Sequence, residues 1–226
     1  MVRRILKAEK KPTEESKGKY VYCVIKAPEE RKSFGQIGFE GSEVYTFEYK
    51  DLTPVVSDVT MREYQVSEEE VEPHRKVVER IMNEHSVLPV AYGMIFKNRK
   101  LLQIAMGAGY AAMKKAFVVV DDKVELGIKI FLPGEMEESR KAQCRSEFMA
   151  VLKEIADDQK DLKLFSARLI MNSAFLVNSS RVDRFSEAVG ELTSKYSDVK
   201  VQYSGPWPAY NFVDIHILGN KRKGFR

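Results

Sequence analysis

Residues 121–134 read DDKVELGIKIFLPG. Val124, Leu126, Ile128 and Ile130 alternate with Glu125, Gly127 and Lys129. That two-residue period predicts a half-buried strand. Pro133-Gly134 supplies a turn that ends it. Asp121-Asp122 interrupts the helical pattern upstream, so the strand reads as a fresh start. A domain boundary is placed there, which makes the chain two small domains, 19–121 and 122–218.

Working forward, Cys144, Phe148, Val151, Leu152 and Ile155 recur at helical spacing, with charged residues opposite. Leu169–Val177 is a mostly apolar strand, paired on this reading with a segment near Leu164. Asn178-Ser179-Ser180 caps a helix carrying Val182, Phe185, Val189, Leu192 and Tyr196. Val199–Tyr203 reads as a strand. Val213, Ile215 and Ile217 alternate as one more. The second domain is therefore expected to run β-α-β-α-β.

Working backward, Asn98 to about Val119 is helical and apolar nearly all round, which predicts heavy burial. Val87–Tyr92 is a short strand in which Pro89 calls for an edge position. Ser67-Glu68-Glu69-Glu70 has the form of a capping box. The helix behind it carries His74, Val78, Ile81, Met82 and His85. Strands are expected at Tyr20–Ile25, Glu43–Tyr49 and Thr53–Val59, with a glycine-rich loop over Ser33–Gly41. Helices packed on one face of a small sheet would bury such patterns. The fold class is α+β, with two two-layer domains.

The 226 residues are 44% hydrophobic and 31% charged, an ordinary globular balance. No run reaches the roughly 18 apolar residues of a membrane span. The N-terminal segment has no apolar stretch of the secretory type. Cys23 and Cys144 stand alone, which suggests neither a disulfide framework nor a metal site and makes a reducing cytoplasm the expected setting. Residues 1–19 carry seven Lys/Arg and three Glu, and residues 219–226 carry four Lys/Arg and no acid. Since the whole chain is +4, the intervening body is near −4. Residues 1–18 and 219–226 are read as basic, solvated tails. A nucleic-acid adaptor acting through those tails would bind DNA with a steep salt dependence.

Catalytic signatures are missing. There is no G-x-S-x-G, H-E-x-x-H or Walker A pattern. Gly107, Gly109 and Ala112 spell G-x-G-x-x-A, but inside a helical pattern and not after a strand. This region is the basis of the alternative reading, a nucleotide-binding protein or enzyme. His74 and His85 lie about 16 Å apart along one helix and cannot share a metal. The glutamates at 68–70 and 135–138 stand at helix starts, where they suit the dipole.

The remaining unusual stretch is Tyr203–Val213, YSGPWPAYNFV, which holds the only tryptophan. Pro206 and Pro208 fix φ and remove two donors, so a sheet ladder is expected to stop there. The result is a stiff track presenting Trp207, Tyr210 and Phe212. Such rings either seal their own domain or anchor a partner.

Gly205-Pro-Trp-Pro-Ala-Tyr-Asn-Phe-Val213 resembles the G-P-W-P-P-Y-x-F-V signature of the gas vesicle protein F/L family. Tyr20–Ile25, His85–Gly93, Asp122–Lys129 and Asn172–Val177 resemble four further segments of that family, in the same order. Ala209 departs from its second proline, and Ala91 stands where an arginine is common. The resemblance implies a ferredoxin-like sheet-and-helix arrangement, no enzymatic activity, no cofactor and no metal. It implies an accessory protein of gas vesicle assembly that binds the small hydrophobic shell protein and other accessory proteins. It leaves open whether the protein ends as a minor vesicle component. A cytoplasmic, gas-vesicle-associated location follows, with no nucleic acid, membrane or small-molecule substrate as partner. The residues expected to grip a partner are Trp207, Tyr210 and Phe212, with Phe34, Ile37 and Phe39 of the glycine-rich loop as a second patch.

Overall fold

A computed structural model describes residues 17–213. The two basic tails therefore fall outside the described residues, apart from Lys17 and Gly18, and so does most of the strand expected over Val213–Ile217. Strand β1 (Lys17–Lys26) is the axis of the first half and starts two residues before the expected domain edge. Its aromatic and β-branched residues are buried almost without alternation because both faces are covered, Val21 and Val24 by one core cluster and Tyr20, Tyr22 and Ile25 by another. β2 (Ser33–Gly35), β3 (Val44–Thr46) and β4 (Leu52–Thr60) form a meander that joins β1 through β4.

Helix α1 (Glu68–Met82) begins at Ser67, whose hydroxyl accepts from the Glu70 N–H at 3.3 Å. Only half of the capping box forms. The Glu70 carboxylate accepts instead from Arg62 and from the Tyr92 hydroxyl. Strands β5 (Val87–Pro89) and β6 (Ile95–Phe96) both lie against the far side of β1. Pro89 thus occupies an edge strand, where its missing donor costs no ladder bond.

Helix α2 (Arg99–Val120) is capped by Asn98, whose Oδ1 accepts from the Leu101 N–H at 3.0 Å. Its expected all-round burial does not occur. Leu102, Ala105, Met106, Gly109, Met113, Phe117 and Val120 face the core, but the opposite side is open to solvent.

In the second half, β7 (Lys123–Phe131), α3 (Glu138–Ile155), β8 (Asp158–Asp161), β9 (Leu169–Asn178), α4 (Val182–Lys195) and β10 (Lys200–Trp207) follow in order. The sheet runs β10-β7-β9-β8 and every pair is antiparallel. This βαββαβ path is the ferredoxin-like arrangement. It contains one strand more than the expected β-α-β-α-β. The addition, β8, pairs with β9 from Asp158 to Asp161, just before the position near Leu164 where a partner was expected.

The cores do not divide cleanly at Asp121-Asp122. Phe148, Phe175, Phe185 and Tyr196 form a core between the second sheet and its two helices. Tyr20, Tyr22, Phe39 and Ile81 form another under α1. A third cluster joins the halves. It combines Val24, Leu88, Met106 and Met113 with Leu176, Ala209 and Phe212. The proline-rich segment therefore packs at the seam between the two sheets.

Candidate functional site

Strand β10 does not stop before its prolines. Tyr203 pairs with Ile128 and Ser204 with Gly127, after which the register jumps to Trp207 opposite Glu125. Gly205 and Pro206, joined by a cis peptide, form a bulge that the ladder skips. The chain thereby evades the missing proline donor instead of ending the strand. Gly205 has φ +114° and an added Cβ would lie 2.8 Å from the Glu125 carbonyl oxygen, so no other residue fits without movement.

Beyond the bulge the segment is fastened from below. Glu125 was expected on the polar face of its strand but is only 6% exposed. Its carboxylate accepts from the Asn211 backbone N–H at 2.8 Å and from the Asn211 side-chain amide at 2.5 Å. Burial pushes the Glu125 carboxyl above its ordinary pKa, and the two Asn211 donors pull it back. Lys160 donates to the Asn211 carbonyl at 2.6 Å and lies 5.5 Å from the Phe212 ring. Tight local turns follow, with Tyr210 N–H donating to the Pro208 carbonyl and Phe212 N–H to the Ala209 carbonyl.

The three aromatic residues then divide. Phe212 is buried in the seam cluster, next to Ala209. Trp207 is half-buried, with the Arg75 guanidinium of α1 at 6.0 Å from its ring. Tyr210 is 43% exposed. The segment presents Tyr210 most and Trp207 less, and uses Phe212 as an anchor.

The glycine-rich loop divides in the same way. Phe39 is buried against Tyr20, Tyr64 and Tyr92 at ring separations of 4.7, 5.1 and 6.4 Å. Its N–H donates to the Tyr22 hydroxyl at 3.2 Å. Phe34 is half-buried, edge-on to His85 at 6.1 Å. Ile37 is exposed. Trp207 thus touches α1 through Arg75, and Phe34 touches the residue three past its end.

Gly107 and Gly109 lie in the third turn of α2, where a helix has no free N–H groups to offer a phosphate. Gly109 is buried and Gly107 faces Tyr49, whose hydroxyl would stand 3.1 Å from an added Cβ. The strand-to-helix junction that the nucleotide reading requires is not at this position. His74 accepts from or donates to the Tyr20 hydroxyl at 3.0 Å inside the first core. His216 lies outside the described residues. Among the described residues no group of three His, Cys, Asp or Glu is placed to hold a metal ion. Both cysteines are buried thiols.

Sequence reasoning missed Glu125, Asn211, Arg75 and Lys160. Each has an ordinary surface reading in its own segment. Tertiary structure alone brings them together: β10 against β7 carries Asn211 to Glu125, 86 positions away, β8 supplies Lys160 and α1 supplies Arg75.

Comparison with known proteins identifies the family and the fold. The profile of the family described as gas vesicle synthesis protein GvpL/GvpF matches residues 18–140 and 134–214. Gas vesicle protein F1 of Halobacterium salinarum is 33% identical over 211 residues, covering 92% of this chain and 98% of that protein. Gas vesicle protein F of Haloferax mediterranei is 35% identical over 210 residues, covering 91% and 97%. The crystal structure of GvpF from Anabaena sp. superposes with a TM-score of 0.79 at 20% identity, over 89% of this chain and all of that one. GvpF from Microcystis aeruginosa superposes with a TM-score of 0.76 at 18% identity, over 87% and 99%. The chain belongs to the GvpL/GvpF family of gas vesicle synthesis proteins.

Proposed function

We propose that this protein acts in gas vesicle assembly by binding the hydrophobic shell protein, together with other accessory proteins, and converts no substrate. A shell subunit must carry a large apolar face, and before assembly that face is an aggregation hazard. A soluble protein with a rigid aromatic surface can cover it and release it. The observation that supports this most is the fastened segment at the seam. Tyr210 is exposed on a backbone held by Glu125 below and Phe212 behind. Ordering that surface costs little on binding, because it is already ordered.

Tyr210 and Trp207 form the proposed contact, with Phe34 and Ile37 as the second patch. Phe212 and Phe39 support them from the two cores. No helix among the described residues is long and apolar enough to cross a membrane. A gas-vesicle-associated place in the cytoplasm belongs to the same reading and rests on the family.

Immobilised full-length protein should retain the shell protein, and Tyr210→Ala should weaken retention while the circular dichroism spectrum is unchanged. Equal retention by a folded Tyr210→Ala variant would remove this surface from the proposal.

A further inference from the structure

The outward side of α2 is the largest departure from what its sequence leads one to expect. Leu101, Ile104, Ala108, Ala111, Lys115 and Val118 are all exposed. Their spacing is three, four, three, four, three, which is the stripe a helix offers to another helix. Ile104 is 58% exposed and Val118 82%. The stripe spans most of a 22-residue helix, about 33 Å long at 1.5 Å per residue. Its middle is built of small residues, so a partner backbone can approach closely. The strip is apolar except at Lys115, and an exposed apolar surface of this kind marks a contact site.

The charge on the helix says what chemistry fits. α2 carries Arg99, Lys100, Lys114 and Lys115 and not one acid. Arg99 lies over the Phe47 ring and Lys114 pairs with Asp51. Lys100 and Lys115 are exposed, and among the described residues neither has a carboxylate within ion-pair distance. A second copy of this chain would set cation against cation along the seam. A helix with an apolar stripe edged by Asp and Glu meets both features at once.

We infer that α2 is a docking face for an acidic amphipathic helix of a partner protein, separate from the aromatic surface around Tyr210. The apolar stripe supplies the contact and the two free lysines set its sign and orientation.

The probe is a labelled synthetic peptide of about three heptads, with Leu and Ala at the inward positions and Glu along the flanks. Anisotropy titration with the full chain should show saturable binding that weakens between about 0.05 and 0.5 M salt. The same peptide with Lys for Glu should not bind. Ile104→Glu should weaken the acidic peptide at least about tenfold, as for an interface anchor. Lys100→Glu with Lys115→Glu should reverse the preference toward the lysine peptide. Tyr210→Ala should leave all of this unchanged. These positions are exposed, so circular dichroism should match the parent. Failure of the acidic peptide to bind, equal binding of both peptides, or loss on Tyr210→Ala would overturn the inference. So would self-association of the chain that Ile104→Glu abolishes, because a second copy would then be the occupant.

Discussion

The two sheets bury their aromatic residues in different ways. Under α1, Tyr20 and Tyr22 are completely buried together with their hydroxyls, and His74 lies among them. Every polar atom there needs a partner. The Tyr20 hydroxyl accepts from the Gly93 N–H at 2.9 Å and shares a hydrogen bond with His74 Nδ1 at 3.0 Å. The Tyr22 hydroxyl meets Ser57 at 2.7 Å. His74 Nε2 is buried without a well-formed hydrogen bond, although the Val90 carbonyl exerts an upward pull on its pKa. In the second half, Phe148, Phe175 and Phe185 pack with no such network, and the Tyr196 hydroxyl reaches out to Glu147. The first core is specified by hydrogen bonds and the second by shape. The first should respond to pH and to single-atom changes, the second to volume.

The largest effect belongs to the second core. Phe175 is fully buried with Phe185 at 5.3 Å. Phe175→Ala should cost about 3–5 kcal/mol. Because the seam cluster ties Leu176 to Met106 and Met113, both halves should lose stability together. Denaturant midpoints read from Trp207 fluorescence and from far-UV circular dichroism should shift by the same amount. Separate shifts would mean that the seam does not couple the sheets.

The pH response comes next. Burial holds His74 down at about 4, against about 6.5 for a free histidine. The depressed value means that the unfolded chain takes up the proton first. The stability due to neutral His74 is full above pH 6.5 and is lost progressively as pH falls toward 4. The total is roughly 3 kcal/mol. Chemical denaturation across that window should show the slope in the parent and a much shallower one in His74→Phe, where only the smaller contribution of half-buried His85 remains. An unchanged slope in the variant would assign it to other groups.

Tyr20→Phe should cost about 1–3 kcal/mol, since it strands the Gly93 N–H and His74 Nδ1 while preserving volume. Trimming one methyl group from the second core would cost packing alone and strand no polar group. Smaller still is Ser67→Ala, which removes the cap of the helix that carries His74. A loss of about 1 kcal/mol in stability is expected, read as a small fall in the thermal midpoint. The start of α4 has no side-chain cap to lose.

What could be read from the chain depended on whether local pattern and final environment agreed. The alternation over Val124–Ile130 and the faces of α3 and α4 agreed, because a two-layer half buries one face of each. β8 was illegible because Asp158-Gln159-Lys160-Asp161 lies at a sheet edge and needs no apolar residue. α2 differs because an apolar sequence predicts a buried helix, whereas its outward side is exposed. Glu125 looked exposed because its strand alternates. What covers it is a segment 86 residues away, and no local signal carries that information. The presence of an unusual proline-aromatic segment over GPWP was legible, but the resumption of the ladder at Trp207 was not. Nor were its bulge and the division of its rings into Phe212 inside and Tyr210 outside.

The claim that matters most is that the fastened aromatic segment grips another polypeptide during vesicle formation. The direct measurement is complementation. A strain lacking this gene would receive either the parent or Tyr210→Ala at equal protein level, and vesicles would be counted by electron microscopy. The account predicts a marked loss of vesicles with the folded Tyr210→Ala protein. A full count of normal vesicles with that variant would contradict it.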